Sequence, residues 1–415
     1  MFQFSSISLR KVWLCALVSL VPWCGTASAQ NFSMMVADPN PLGLGNFVPS
    51  EKDLASGMTD GIKGAFAYGL GVQSVYNSNY FQREEDEQSE ITTSFSPSIN
   101  YVSDPEGGAK VAFTANYSPV FQTYLENPSL NAWNQSGNVT LAFQGAKTNV
   151  SVFGSYSDFS GTDILTGTYS TGTVMSGGIR ASRQIAPRTS MNASWTASKS
   201  DYSSGDSVGS QNYTTSVGGF WQASERLSLG PAISNTVSTS DNTGTTDAWA
   251  LLIQAQYRVG ERIWLSAAVG PQYTMTTWHG IDTNSLGITG NLDARYVINE
   301  RWSWTSGISY ATTPSANQTN YLVNNLAITT ALSRQLQRGS LSGGLAFNYA
   351  TYENVGGNST TTTPDDQENL SLFLGYSRNL FTERLAFNSQ IRYSVNSGQT
   401  DWTQLELTLG LNYTF

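Results

Sequence analysis

From about residue 64 onward, apolar and polar residues take alternate positions along the chain. At its end Leu405, Leu407, Leu409, Leu411, Tyr413 and Phe415 hold one parity, and Gln404, Glu406, Thr408, Gly410, Asn412 and Thr414 the other. Successive side chains of a strand point to opposite faces, so this segment predicts a strand with one apolar and one polar face. The pattern recurs with Ile91, Phe95, Pro97, Ile99 and Tyr101 set against Thr92, Ser94, Ser96, Ser98 and Asn100. It recurs again over Leu286–Ile298, where Thr289, Asn291, Asp293 and Arg295 form the polar set. Over Leu385–Val395 the polar set is Asn388, Gln390, Arg392 and Ser394. Strands of this kind separate lipid on one side from water on the other.

The connections between strands are of two kinds, and the kinds alternate. Short, turn-like ones lie at Asp104–Gly107, Gly145–Lys147, Ala186–Arg188, Glu225–Arg226, Glu261–Arg262, Glu300–Arg301, Arg338–Gly339 and Glu383–Arg384. Long ones, rich in Asn, Ser, Thr, Gly and Asp, cover 77–90, 125–133, 158–171, 201–211, 239–246, 277–284, 313–320, 354–369 and 397–400. Eight short and nine long connections predict an all-β, antiparallel up-and-down barrel of about 18 strands, with 16 the neighbouring even count. Backbone groups that face lipid must be satisfied within the protein, which requires such a sheet to close on itself. Each strand has about ten alternating residues, enough to cross a hydrocarbon core when tilted. Trp264, Trp302, Trp304, Phe381 and Tyr257, beside the short turns, suit an interfacial aromatic girdle. A propeller, which also repeats near 40 residues, lacks this long and short alternation.

The first 63 residues read differently. Arg10 and Lys11 precede an apolar run, Val12–Trp23, that ends in Ala27-Ser28-Ala29. This is the pattern of a secretory signal peptide over residues 1–29. Its removal would take away both cysteines, Cys15 and Cys24, and move the net charge from −9 to −11. Residues 30–63 carry Pro39, Pro41 and Pro49 with little alternation, and are expected to form a periplasmic N-terminal segment or plug ahead of a barrel over 64–415.

Composition narrows the function classes. The 415 residues include 20 Tyr, 18 Phe and 11 Trp, yet only 12% are charged. A disordered chain would have fewer aromatics and more charge. The acidic balance argues against nucleic acid as a partner. One His, His279, and two Cys nearly exclude a zinc site. His279 and Asp282 could form a base and acid pair, but no Gly-x-Ser-x-Gly elbow accompanies them, and a solvated loop is the expected setting. No metal, cofactor or catalytic residue is therefore expected, and the chain reads as a non-enzyme. Glu84, Glu85, Asp86 and Glu87, with Glu90, crowd the first long connection, and Asp365, Asp366 and Glu368 the eighth. Carboxylates there could hold divalent cations that bridge lipopolysaccharide, although a solvated loop accounts for them as well.

Function should reside on the polar parity, which faces the lumen. Placing each apolar parity outward turns Arg180, Arg258, Asp293, Arg295, Arg392 and Glu406 inward. Charged side chains that line a pore set its selectivity, and four arginines against two acids suit an anionic or sugar-like solute. The competing expectation is that these charges pair across the barrel and stiffen it.

The stretch Ser96-Pro97-Ser98-Ile99-Asn100-Tyr101, a turn, Phe113–Phe121 and the Asn-Tyr-Thr-Phe ending carry a resemblance. From about Gly64 to Phe415 the chain resembles the β-barrel porin 2 group of bacterial outer-membrane proteins. The resemblance implies an outer-membrane barrel linked to exopolysaccharide export. Tyr413 and Phe415, at the chain end, resemble the C-terminal signature read by the barrel-assembly machinery. The expected partners are the lipid bilayer, lipopolysaccharide, that machinery, and a polysaccharide or periplasmic export partner. The expected site is the Gram-negative outer membrane, with both termini periplasmic. Two other roles fit the same chain: a closed, adhesin-like barrel acting through its long loops, and a barrel enzyme built on His279.

Overall fold

A computed structural model describes residues 65–103, 110–162, 169–203, 209–240, 244–278, 281–314, 321–354, 365–381, 384–398 and 400–415. The expected signal peptide over 1–29, the expected N-terminal segment over 30–63 and His279 lie outside the described residues.

Eighteen strands run in chain order. The first six are β1 (Ala65–Asn77), β2 (Glu90–Val102), β3 (Val111–Tyr124), β4 (Ala132–Gln144), β5 (Thr148–Thr162) and β6 (Tyr169–Ala186). Then come β7 (Thr189–Tyr202), β8 (Ser210–Gln222), β9 (Leu227–Ser240), β10 (Gly244–Val259), β11 (Ile263–Trp278) and β12 (Ile281–Val297). The last six are β13 (Trp302–Pro314), β14 (Tyr321–Leu336), β15 (Gly339–Asn354), β16 (Gln367–Asn379), β17 (Leu385–Ser397) and β18 (Trp402–Thr414). Each pairs antiparallel with its neighbours in sequence, and β1 pairs with β18, which closes the sheet. Closure leaves no edge, as a wall surrounded by lipid requires. The final amide reinforces the closing seam, since Phe415 N–H donates to the Tyr68 carbonyl at 3.0 Å.

The predicted count of 18 is therefore the observed one, but the strands are longer than predicted. They span 13 to 18 residues, the longest being β6. The expected loops 239–246 and 277–284 are largely strand, because β9 runs to Ser240, β10 starts at Gly244, β11 runs to Trp278 and β12 starts at Ile281. Thr-rich flanks with continued alternation let the ladder extend beyond what a hydrocarbon core needs. On this side of the barrel the hairpins stand tall.

Alternation sorts the two faces. In β18, Leu405, Leu407, Leu409, Leu411 and Tyr413 are exposed, while Gln404, Thr408 and Thr414 between them are buried. The outer face also shows Leu251, Ile253, Leu286 and Ile288, all more than half exposed, as lipid-facing residues should be. Trp302, beside the short turns, lies outward with the Arg334 guanidinium 5.2 Å from its ring centroid. That pair has the form of an interfacial anchor, with the charge reaching past the apolar band to water.

The inner face is not uniformly polar. Ala232, Ala250, Leu252 and Ala268 form a buried apolar cluster on β9, β10 and β11. Inward aromatics lie sideways along the wall, over glycines of the next strand. A Cβ on Gly178 would come 2.9 Å from the Phe153 ring, and one on Gly344 as close to that of Phe373. A side chain at either position would push the ring up into the lumen.

Candidate functional site

The inner face brings the charged residues into an order that no single strand contains. The registers pair Arg258 with Trp264, Trp264 with Arg295 and Arg295 with Thr305. They continue through Ala331, Gly344 and Phe373 to Arg392. Arg392 faces Glu406, Glu406 faces Asn77, and Asn77 faces Glu90. This is one unbroken lateral row across eleven strands, from β10 round to β2. At a strand spacing of about 4.8 Å its ten steps cover roughly 48 Å of wall. Rungs run perpendicular to strands, and barrel strands tilt, so the row climbs the wall as a spiral. It starts at Arg258, next to the short-turn end of β10, and finishes at Glu90, the first residue of β2 after a long connection. Arg258 and Arg295 occupy the short-turn part of the spiral, Arg392 lies near mid-strand, and the carboxylates take the long-loop part.

Arg258, Arg295, Arg392 and Glu406 share this row, whereas Asp293 sits one inward position away from Arg295 on β12. Asp293 accepts a hydrogen bond from Asn291 Nδ2 at 2.8 Å. Arg180 lies elsewhere on the inner wall, its guanidinium carbon 4.4 Å from the centroid of Phe153. The Trp264 ring has Arg258 at 5.7 Å and Arg295 at 5.8 Å from its centroid. Trp264 is thus an inner-wall residue and not part of the girdle expected for it. Its parity with Ser266 and Ala268 places it there, and the two arginines hold its ring by cation–π attraction. The buried Nε of Arg258 has no hydrogen-bond partner among the described residues. The one ion pair among them joins Lys199 to Asp201, far from this row, so the row's arginines are not neutralised by direct pairing.

Sequence reasoning passed over Glu90 as part of an acidic loop. It is buried, and its carboxylate accepts from Ile91 N and Glu126 N at 3.0 Å each and from Asn127 Nδ2 at 2.7 Å. It thereby ties the connection at 78–89 to the one at 125–131. Asn79, fully buried, adds bonds from its side-chain amide to the Arg83 and Thr403 carbonyls. Tyr80 donates to the Tyr124 hydroxyl at 3.2 Å, and burial, with Tyr124 beside it, holds the Tyr80 phenol protonated well above its ordinary range. The first long connection is therefore built against the mouth. Replacing Glu90 with Ala removes three bonds to a charged acceptor, each worth roughly 1.5–3 kcal/mol. Trypsin is expected to cut after Arg83 several-fold faster in that variant. An unchanged digestion rate would show that Glu90 does not anchor the loop.

The two rims differ in charge. Arg183, Arg334 and Arg378 lie near the short-turn ends of strands, and Arg188, Arg226, Arg262, Arg301, Arg338 and Arg384 in or beside the turns, where they outnumber Glu225, Glu261 and Glu300. Asp158, Asp201, Asp247, Asp282, Glu353 and Glu368 lie near the long-loop ends. No group of three or more potential metal ligands is formed among the described residues.

No family model matches the chain, and no curated protein matches it. The resemblance to the β-barrel porin 2 group thus rests on sequence pattern alone. Among solved structures, the outer membrane protein OpdK of Pseudomonas aeruginosa is similar at 10% identity and a TM-score of 0.47, over 84% of this chain and 99% of that one. OccAB3 of Acinetobacter baumannii gives 10% identity and a TM-score of 0.46, over 84% of this chain and 99% of that one. The FrpB iron transporter of Neisseria meningitidis gives 10% and 0.46, over 89% and 83% of the two chains. Nothing about cargo or activity follows for this chain from likeness of that degree.

Proposed function

We propose that the protein is a passive channel of the Gram-negative outer membrane for anionic, hydroxyl-rich solutes such as acidic saccharides. The observation that carries this reading is the spiral of inner-face charge, three arginines to two carboxylates, that runs from one end of the wall to the other. A closed barrel of 16–18 strands leaves room for an aqueous path, and fixed charges along it select the ions that enter. The short-turn end is taken as periplasmic and the long-loop end as external, the arrangement usual for such barrels. A link to exopolysaccharide passage is supported by the sequence resemblance. Lipopolysaccharide surrounds the barrel in this reading, and Tyr413 and Phe415 serve its insertion by the assembly machinery.

Planar-bilayer recording of the purified protein tests the proposal. Stepwise conductance under a KCl gradient is expected, with anions favoured and with block by an acidic oligosaccharide. No conductance in any orientation would overturn it. The charge difference between the rims adds a second expectation. Current should be larger when the long-loop side is positive, because both ions then enter through the mouth that attracts them. A symmetric current–voltage curve would show that the rims do not act on the permeating ions.

A further inference from the structure

Two prolines face each other across one seam of the wall. The β2–β3 register pairs Phe95 with Phe121 and Ile99 with Tyr117, which puts Pro97 directly opposite Pro119. On the same register Ser103 N–H donates to Phe113 O and Leu125 N–H to Ile91 O. Odd-numbered residues of β2 therefore carry the rungs to β3, and the proline pair occupies a rung position. Proline has no N–H, so neither of the two reciprocal hydrogen bonds there can form. Regular pairing stops over three successive positions, near the middle of both strands. Ser118, almost fully buried, offers a partial substitute through its hydroxyl, 3.4 Å from the Pro97 carbonyl.

Two other seams lose pairing at a proline. Pro231 interrupts β8–β9, and Pro271 interrupts β10–β11. Each removes a single donor, and the wall behind them is closed by the buried cluster of Ala232, Ala250, Leu252 and Ala268. Behind the Pro97 and Pro119 pair the inner wall carries Ser96, Ser98 and Ser118, flanked by Gly69 and Gly71 of β1. The fourth inward position at the gap is Val120, opposite Ser96. On the outer side, the rings of Phe95 and Phe121 lie 6.3 Å apart, and those of Phe121 and Trp133 lie 4.3 Å apart. The seam is therefore lined within by three hydroxyls and one valine, aromatic without, and short of two rungs between.

We propose that the β2–β3 seam is a lateral port between lumen and bilayer that admits an amphiphile with a hydroxyl-rich head and an apolar chain. The serines receive the head, the aromatics receive the chain, and the missing rungs let the strands part. Two absent rungs, at the usual net worth of a hydrogen bond, make parting about thirtyfold easier than in an intact seam. This function is separate from axial conduction and can hold whether or not ions pass along the barrel.

The test uses the mature protein in vesicles whose inner leaflet carries a short-chain fluorescent lactosyl lipid. Serum albumin outside, too large to enter the lumen, extracts whatever probe reaches the outer leaflet. Ser98 and Ser118 face each other at a position without rungs, where Cα atoms approach closely enough for a disulfide. The S98C/S118C barrel, which lacks two of the hydroxyls that receive the head, is expected to release probe more slowly than wild type but well above the protein-free rate when reduced, and at the protein-free rate when oxidised. The P97V/P119V barrel restores both donors and is expected to slow release about thirtyfold. It also serves should the disulfide variant fail to fold. Axial conductance measured on the same preparations is expected to persist in both variants. Release from wild-type vesicles no faster than from protein-free ones overturns the port, as does equal release from the oxidised and reduced forms.

Discussion

Replacing Arg258, Arg295 and Arg392 with glutamate is expected to turn the lumen from anion-selective to cation-selective. All three lie on one lateral row of the inner wall, whose acidic members are Glu406 and Glu90. Each exchange moves the local charge by two units, so the row becomes acidic from end to end. In a confined lumen the effective dielectric is below that of bulk water, and fixed charge at a few ångströms outweighs thermal energy. The readout is the reversal potential under a tenfold KCl gradient. It should change sign, within limits of about 59 mV on either side of zero. Arg183, Arg334 and Arg378 provide the control, since they sit near the outer short-turn rim. Their replacement by glutamate should leave the sign unchanged. If the inner-wall triple variant keeps its anion preference, the spiral does not line the conducting path.

Leu409→Arg is expected to lower the unfolding free energy by about 2–4 kcal/mol, the cost of a guanidinium at the bilayer midplane. Leu409 lies near the centre of β18 on the outer face and is 57% exposed. Its charge would have no water within reach except by bending toward a rim. Thr305→Arg places the same group on the inner wall beside Arg295, at an exposed position. A loss of no more than about 1 kcal/mol is expected there, most of it from the like charge of Arg295 directly opposite. Denaturant unfolding of both variants from lipid vesicles makes the comparison. Equal losses would mean that the apolar parity does not face lipid.

Much of this architecture was legible along the chain. A strand has a period of two, so Leu405 to Phe415 announces both the element and its two faces without reference to any other strand. The alternation of short and long connections then yields the number of strands. The inner position of Trp264 was legible too, because it shares parity with Ser266 and Ala268, but its place near a turn suggested a girdle instead. The opposite charge of the two rims was also visible, with arginines beside the short turns and acids beside the long connections. The extent of β9 to β12 was not, since Thr and Asn suit a strand flank as well as a loop.

The register could not be read this way. That Arg392 faces Glu406 depends on how far β17 slides against β18, and that Pro97 meets Pro119 depends on the slide of β2 against β3. A slip of two residues keeps every apolar side chain outward, so alternation alone does not choose between such pairings. Closure of all 18 strands makes the choice, because the staggers must add up to join β1 to β18. The sequence by itself therefore determined the strands, their faces and which charges turn inward. Only the closed sheet decided that those charges form a spiral and that two prolines stand opposite each other, because lateral neighbours are set by the shear of the whole barrel.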